Sequence, residues 1–226
     1  MEKRYQRNMK LMTQDEITAL KKKRVCVVGC GGLGGYIVEM LSRLGVGTIT
    51  AIDGDVFDET NLNRQLLSEE ALIGSSKAEA AKSRIQKVNS EVEVVAKAVF
   101  LRDDNAVALI AGHDVVVDAL DNISTRRILE KACSVCGIPL IHGAIAGWYG
   151  QVTTIMPGSG VFSKLYPETA EKGIETELGN PAFTPALVAS IQVSETLKLL
   201  IEKGEPLVGR LLTLNLLDHE YQIFEF

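Results

Sequence analysis

Apolar, β-branched runs alternate with segments of helical periodicity over the first two thirds of the chain. Such an alternation is typical of βαβ units, which build a mostly parallel sheet. The predicted strands are Val25–Gly29, Thr48–Asp53, Val92–Val99, Val115–Leu120 and Leu140–Ala144. The predicted crossover helices are Leu33–Leu44, Ser76–Val88, Asp104–Ile110 and Ser124–Cys136. A short helix with a capping box at Thr13 and Glu16 precedes them.

The pattern changes in the last third of the chain. Gln151–Met156 alternates like a strand, and residues 161–181 form a polar stretch with Gly and Pro that is too long for an ordinary connector. Pro185–Lys203 has the periodicity of a helix, and Leu211–Leu217 with Tyr221–Phe226 indicates a closing hairpin. We therefore predict a Rossmann-like α/β fold whose parallel N-terminal part is extended by antiparallel C-terminal strands.

Composition excludes several classes of protein. The chain has 226 residues, of which 46% are hydrophobic and 23% charged, so it can bury a sizeable core. Its net charge of −5 provides no basic field for a nucleic acid. No apolar run approaches the roughly 20 residues that cross a bilayer. Four cysteines without a secretory signal indicate reduced thiols, and we expect a cytoplasmic protein without a membrane or nucleic-acid partner.

A glycine-rich turn follows the first predicted strand and opens a helix. Gly29, Gly31 and Gly34 fit the pattern G-x-G-x-x-G, Gly32 lies within it, and Asp53 ends the next strand. Glycines allow a tight turn, the helix N-terminus attracts phosphate, and a carboxylate accepts hydrogen bonds from ribose hydroxyls. This arrangement predicts a nucleotide site without distinguishing NAD from ATP.

Polar residues after the second strand favour a triphosphate. Asp55 follows Asp53, and Asn61, Arg64 and Gln65 precede Lys77 at the start of the next helix. An arginine can bind phosphate oxygens bidentately and a lysine can act on them as a point charge. Either cation alone would be interpreted as a surface residue, and a dinucleotide oxidoreductase remains the alternative if both have no role. Together with the glycine turn they favour ATP.

Two carboxylates flank the end of a fully apolar strand. Asp118, Asp121 and Asn122 lie where open α/β sheets bind ligands. One of these carboxylates is open to a second interpretation, as the cap of the helix that begins near Ser124. Asp121 is the better candidate for Mg²⁺, which prefers carboxylate and phosphate oxygens.

The chain resembles the MoeB/ThiF/HesA adenylyltransferases, relatives of the ubiquitin-activating enzymes. The resemblance covers nearly the whole chain and rests on six motifs in order. These are Arg4-Tyr5-x-Arg7, Gly29–Gly35, Asp53-x-Asp55, Asn61-Leu62-x-Arg64-Gln65, Gly74-x-x-Lys77 and Asp118-x-x-Asp121-Asn122.

This resemblance implies a homodimer that binds MgATP and adenylates the C-terminal glycine of a small ubiquitin-like sulfur-carrier protein ending in Gly-Gly. Acyl-adenylate and pyrophosphate would be the products, in molybdopterin, thiamine or related sulfur transfer. Arg7 would act as an arginine finger in the partner's site, and Asp121 would serve the magnesium. The implied nucleotide-binding residues are Gly29, Gly31, Gly32, Gly34, Asp53, Asp55, Asn61, Arg64, Gln65, Lys77 and Asn122, of which Arg64 and Lys77 also act in catalysis.

The resemblance also implies one domain over residues 1–226. Residues 1–24 would form an N-terminal arm and helix, and residues 25–150 the nucleotide-binding part. Residues 151–226 would contribute a crossover loop, a helix and strands that bind the carrier protein. The crossover would guide the carrier's tail, and we expect it to be disordered without a partner.

The cysteines depart from the family. Many relatives hold a structural zinc with two Cys-x-x-Cys pairs, but the corresponding stretch here, Val161–Pro167, contains none. No cysteine follows Cys136, so we expect neither this zinc nor thioester chemistry in the crossover. Cys133 and Cys136 are spaced like half a zinc site, yet buried structural thiols are the preferred interpretation, as for Cys30.

Other interpretations remain open. The acceptor could be a different peptide carboxylate or the threonylcarbamoyl group on tRNA, or the chain could be a non-catalytic subunit that binds carrier protein. We interpret His113 and His219 as surface residues and His142 as a core or site-lining residue. The segment Trp148–Gly150 either lines a groove for the partner's tail or packs under the sheet.

Overall fold

A computed structural model describes residues 3–167, 169, 170, 173 and 175–226. Within these ranges one mixed sheet runs through the molecule. Its strands are β1 (Arg24–Val28), β2 (Thr48–Ile52), β3 (Glu93–Lys97), β4 (Val115–Asp118), β5 (Leu140–Ala146), β6 (Tyr149–Ile155), β7 (Arg210–Asn215) and β8 (Glu220–Glu225).

The strand order confirms the predicted fold. The strands follow one another across the sheet as β3-β2-β1-β4-β5-β6-β7-β8. The pairs among β1 to β5 are parallel, and β6, β7 and β8 each pair antiparallel with the strand before them. Since β1 has β2 on one side and β4 on the other, the order reverses there and opens a crevice at the carboxyl ends of the strands.

Helices cover both faces of the sheet. They are α1 (Gln14–Leu20), α2 (Gly34–Leu44), α3 (Lys77–Val88), α4 (Ala106–Ile110), α5 (Ile123–Cys136), α6 (Val161–Leu165), α7 (Glu175–Leu178) and α8 (Phe183–Leu200). Short 3-10 turns lie at Lys3–Asn8, Glu59–Asn61 and Glu70–Leu72. No helix within the described ranges is long and apolar enough to cross a membrane.

Alternating residues of β1 contribute to two cores. Val25 and Val27 pack with α2, α3 and α8, whereas Cys26 and Val28 pack with α4, α5 and α6. This alternation explains why the strand reads as continuously apolar, because both of its faces are buried.

Local signals in the sequence place several helix ends. Thr13 and Glu16 form the predicted capping box of α1. Gly45 and Gly137 end α2 and α5 with positive φ, as the C-terminal glycines of helices commonly do.

The interpretation of residues 161–181 as a polar loop is partly wrong. Val161 and Phe162 are buried in the second core and belong to α6, and α7 lies within the same stretch. This short apolar pair is a weak signal for a helix in a stretch that also contains Gly and Pro residues. The predicted disorder of the crossover falls partly on residues 168, 171, 172 and 174, which lie outside the described residues.

The turn between β1 and α2 leaves no room for side chains at two glycines. A Cβ on Gly34 would lie 1.8 Å from the carbonyl oxygen of Gly29, and one on Gly29 would lie 2.4 Å from that of Ala119. Gly32 differs, since the nearest atom to its Cβ would be 3.7 Å away on Pro185.

We predict that Gly34→Ala lowers the free energy of unfolding by at least about 2 kcal/mol, because α2 must shift away from the turn. Gly32→Ala is the matched control and should leave stability nearly unchanged. Urea unfolding of both variants measures the difference, and equal stabilities would contradict the packing described.

Candidate functional site

A cleft opens at the carboxyl ends of β1, β2 and β4 and encloses about 200 Å³. Most of the site residues predicted from the sequence line it. They are Gly29, Gly31, Gly32, Asp53, Asp55, Arg64, Gln65, Lys77, Asp121 and Asn122. The fold therefore brings residues from five separate motifs to one place.

The glycine turn presents backbone amides to this cleft. Helix α2 begins at Gly34 without a side-chain cap, and Gly29 has φ +97°, a conformation that other residues rarely adopt. Amides of an uncapped first helical turn lack partners within the helix and attract anions. The turn thus has the geometry of a phosphate-binding loop.

Asp53 is fixed at the end of β2. One carboxylate oxygen accepts a hydrogen bond from the Cys30 amide at 2.7 Å and the other from the Asp55 amide at 2.8 Å. Burial raises the pKa of Asp53, and these two hydrogen bonds with nearby Lys77 act in the opposite direction. The side chain is a preorganised acceptor on the cleft wall.

Two cations line the cleft. Lys77 begins α3, is only 7% exposed and places its ammonium group 3.3 Å from Asp55 Oδ2. Arg64 donates from Nη1 to the Thr60 carbonyl at 2.9 Å and to Asn63 Oδ1 at 2.8 Å. A buried lysine and a partly buried arginine that line one cleft can hold several negative charges.

Asn61 and Gly34 do not line the cleft. Asn61 is buried and completes a capping box with Asp58, so it shapes the loop that carries Arg64. Gly34 lies against Gly29 and supports the turn from behind. Both residues can shape the site from behind, and direct contact of Asn61 or Gly34 with a nucleotide stays a prediction.

Arg7 does not line the cleft of its own chain. It belongs to the N-terminal 3-10 turn, where the Tyr5 ring packs against Gly45. Gly45 ends α2 and the glycine turn begins it, and this helix of 11 residues is about 16 Å long. The turn that carries Arg7 therefore packs at the end of α2 that is opposite to the glycine turn.

Asp121 and Asn122 form the loop after β4. The Asn122 side chain caps α5 by accepting from the Thr125 amide at 2.8 Å, and its Nδ2 lies 3.3 Å from Asp121 Oδ1. Asp121 itself is exposed and lines the cleft. No group of three or more His, Cys, Asp and Glu side chains within the described ranges could hold a metal. A magnesium ion at Asp121 would therefore take most of its ligands from phosphate and water, as Mg²⁺ commonly does.

The structure adds Arg126, which the sequence motifs did not single out, and joins it to Asp118 and His142. Asp118 is no helix cap: it is fully buried, forms an ion pair with Arg126 at 3.4 Å and accepts from His142 Nδ1 at 2.6 Å. His142 is therefore buried, as the sequence suggested. Asp118, Arg126 and His142 come from three elements, so spacing along the chain gave no signal of their contact.

An aromatic ring also lines the cleft. Phe100 follows β3, is 56% exposed and covers Gly54, where a Cβ would lie only 2.5 Å from the ring. Val99, Leu101 and Leu120 add further apolar surface to the lining of the cleft. Such a surface suits the face of a planar ring.

A second cavity of about 390 Å³ lies on the sheet beside the cleft, and we call it the trough. Its floor consists of residues from β5 to β8, including Gln151, Thr213 and Gln222, which sit side by side in the pairing register. Arg126 and Ile145 line both the trough and the cleft. The two cavities therefore meet at Arg126.

The segment Trp148–Gly150 contributes to the trough in part, and its tryptophan is 45% exposed rather than packed under the sheet. Tyr149 and Gly150 line the trough. Trp148 packs instead against Phe183 at the start of α8, with ring centroids 4.7 Å apart.

The burial of the remaining histidines and cysteines tests the interpretations made from the sequence. The prediction that His113 lies on the surface is wrong: it is buried and its Nε2 lies 2.7 Å from Thr50 Oγ1, because the turn after α4 folds against β2. His219 is exposed, as predicted. Burial raises the pKa values of Cys30 and Cys133, so both are protonated thiols.

Comparison with known proteins agrees with this geometry. The model of the ThiF family matches residues 5–226. The chain is 38% identical to a SAMP-activating enzyme E1 of Haloferax volcanii, over 90% of this chain and 76% of that protein. It is 36% identical to a molybdopterin-synthase adenylyltransferase of Salmonella typhimurium, over 85% of this chain and 79% of that protein. A crystal structure of E. coli MccB with ATP shares the fold with a TM-score of 0.86 at 22% identity, over the whole of this chain and 72% of that one.

We predict that Asp118→Ala lowers the free energy of unfolding by about 3–5 kcal/mol, because the buried Arg126 guanidinium loses its counter-charge. The matched control is Asp103→Ala, which removes the ion pair with Lys131 on the same helix as Arg126. Both partners of that pair are about 70% exposed, so its loss should change stability little. Urea unfolding measures both, and similar small changes would contradict the buried ion pair.

Proposed function

Since this chain belongs to the ThiF family and its curated relatives are adenylyltransferases, we propose that it adenylates the C-terminal glycine of a ubiquitin-like sulfur-carrier protein. The observation that carries this proposal is the junction of the cleft and the trough at Arg126. A nucleotide and a peptide tail can meet there. Molybdopterin, thiamine or a related sulfur-transfer route would use the product, in the cytoplasm.

The cleft residues suit MgATP. Asp53 would accept hydrogen bonds from the ribose, and the glycine turn with Arg64, Gln65 and Lys77 would bind the phosphates. Gln65 is buried, and its Oε1 has no hydrogen-bond partner among the described residues. This oxygen can accept a hydrogen bond from a hydroxyl or amino group of the nucleotide, while the amide nitrogen of Gln65 would donate to phosphate oxygens. A magnesium ion at Asp121 would neutralise phosphate charge.

The reaction needs no general base. A carboxylate is already a nucleophile at neutral pH, so one of its oxygens attacks the α-phosphorus directly while the bond to the bridging oxygen of the β-phosphate breaks. Pyrophosphate leaves with the electron pair of that bond. Arg64 and Lys77 offset the negative charge that grows on the leaving group. The protein's main task is to orient the two reactants.

The trough would deliver the carboxylate. It extends over β5 to β8 and offers polar side chains such as Gln151, Thr213 and Gln222 to the backbone of an extended tail. Arg126 lies at the end of the trough and lines both cavities, so it is a cation that the incoming carboxylate would meet. It would hold the carboxylate beside the α-phosphate.

A homodimer would complete the site. Arg7 belongs to the turn that packs at the opposite end of α2 from the glycine turn, so an Arg7 in this cleft would come from a second protomer. There it would add a third positive charge beside the phosphates, as an arginine finger does.

The test is ATP–pyrophosphate exchange with Mg²⁺ and purified diglycine-ending proteins from the same genome. We expect exchange that depends on one of them, and Lys77→Ala should lower its rate by a factor that corresponds to about 2–4 kcal/mol. Lys82→Ala, which removes an exposed lysine from the same helix, is the control. Exchange without any carrier would indicate a different acceptor, and exchange unaffected by Lys77→Ala would contradict the phosphate assignment.

Mixing of inactive subunits tests whether Arg7 acts across the dimer. Arg7→Ala and Asp121→Ala should each be inactive alone, but a mixture of the two should recover activity, because a mixed dimer contains one intact cleft facing one intact Arg7. Mixing Lys77→Ala with Asp121→Ala is the control and should stay inactive, since both clefts are damaged. No recovery in the first mixture counts against an Arg7 that acts across the dimer.

A further inference from the structure

A chain of hydrogen bonds lies between the trough and the cleft, outside the phosphate-binding motifs. It connects Gln151 on β6, Tyr166 just after α6, His142 on β5 and Asp118 at the end of β4. His142 and Asp118 are fully buried, whereas Gln151 and Tyr166 reach the trough. The chain therefore leads from a ligand-accessible surface into the interior.

The direction of these hydrogen bonds follows from the donors and acceptors available. The Asp118 carboxylate only accepts, so His142 Nδ1 carries the proton and donates to it at 2.6 Å. His142 Nε2 then accepts from the Tyr166 hydroxyl at 3.1 Å. The Tyr166 oxygen in turn accepts from Gln151 Nε2 at 2.7 Å. Every donor points toward Asp118.

The imidazole of His142 is neutral in this arrangement. Burial lowers the pKa of His142, and the neighbouring Asp118 only partly offsets this effect. Because the imidazole is neutral, it does not neutralise the negative charge of Asp118. The counter-charge is the Arg126 guanidinium, whose Nε lies 3.4 Å from the same carboxylate oxygen.

The same chain contacts Arg126 at a second point. Nη1 of Arg126 lies 3.5 Å from the Tyr166 hydroxyl, and Nη2 donates to the Leu120 carbonyl at 2.5 Å. Nε of Arg126 is buried without a hydrogen bond among the described residues. The guanidinium is thus held from two sides by members of one hydrogen-bonded chain, Asp118 and Tyr166.

Tyr166 also lies at the beginning of the crossover. Arg127, next to Arg126 on α5, donates from Nη2 to the carbonyl of Tyr166 at 3.1 Å and to that of Pro167 at 2.6 Å. The first residues of the crossover are therefore tied to the helix that carries Arg126. A movement of the crossover would change the contacts of the guanidinium.

We infer that Tyr166 and His142 are positioning residues that orient Arg126 toward a carboxylate at the end of the trough. This inference rests on the proposed function, because it assigns the carboxylate of an extended peptide tail to the trough. It goes further in stating that recognition of the free carboxylate depends on a tyrosine hydroxyl that does not itself contact the nucleotide cleft.

The test uses two synthetic decapeptides ending in Gly-Gly, one with a free C-terminal carboxylate and one amidated. Their affinities for the full chain are measured by calorimetry. We expect the wild-type protein to prefer the free acid by about tenfold or more, as a charge-assisted hydrogen bond implies. In Tyr166→Phe this preference should fall to below about threefold.

Three further variants make the comparison specific. Tyr221→Phe removes a hydroxyl from an exposed position on β8 and should keep the wild-type preference. His142→Asn retains a donor for Asp118 but not the contact with Tyr166, so it should behave like Tyr166→Phe. Arg126→Lys should also lose most of the preference, because an ammonium group cannot replace the planar fork. ATP affinity and melting temperature, measured in parallel, should differ little between Tyr166→Phe and the wild type.

Two outcomes would overturn the inference while leaving the proposed function intact. One is an unchanged preference for the acid in Tyr166→Phe together with carrier-dependent exchange in the wild type. The other is an equal loss of acid binding, amide binding, ATP affinity and melting temperature, which would indicate a purely structural tyrosine. A wild-type protein that binds neither peptide and shows no carrier-dependent exchange would overturn both.

Discussion

The close approach of backbones around the glycine turn is the constraint on which the rest of the site depends. Gly29 presses against the carbonyl of Ala119, and Gly34 presses against Gly29. These contacts hold the start of α2 against the residues that follow β4. The amides that face the cleft and the loop that carries Asp121 consequently share one rigid frame. Their relative positions are set by packing that no larger residue allows.

A buried charge imposes the second constraint. Asp118 has no contact with solvent, and its partners are Arg126 and His142. A buried carboxylate is tolerated only when charge and hydrogen bonds compensate it, which fixes α5 and β5 relative to β4. The same compensation leaves Arg126 at the border between the cleft and the trough. A requirement of folding thereby places a cation where the proposed chemistry needs one.

Much of the fold could be predicted from the sequence because local and global signals agree. The central strands β1, β2 and β4 are rich in β-branched residues and buried on both faces, the helices are periodic, and glycines end α2 and α5. Motifs at strand ends were predictable as one site because the carboxyl ends of parallel strands meet at one edge. Asp53, Lys77 and Asp121 indeed line one cleft.

The remaining features depend on contacts between distant segments. Asp118, His142 and Tyr166 come from β4, β5 and the residue after α6, and no spacing along the chain encodes their pairing. His113 appeared to belong to an exposed turn, but its burial depends on β2. The position of Arg7 needed the packing of Tyr5 against Gly45 to be understood. Local patterns predict elements, whereas these contacts arise only when the elements assemble.

The four cysteines have a chemical consequence of their own. Cys26, Cys30 and Cys133 are buried, and burial raises their pKa values, while Cys136 is partly exposed. Alkylating reagents and peroxide react with thiolates that they can reach, so the folded chain presents them with little more than Cys136. Modification of Cys30, in the glycine turn, would require that turn to open. The rate of alkylation at Cys30 therefore reports how often the glycine turn opens.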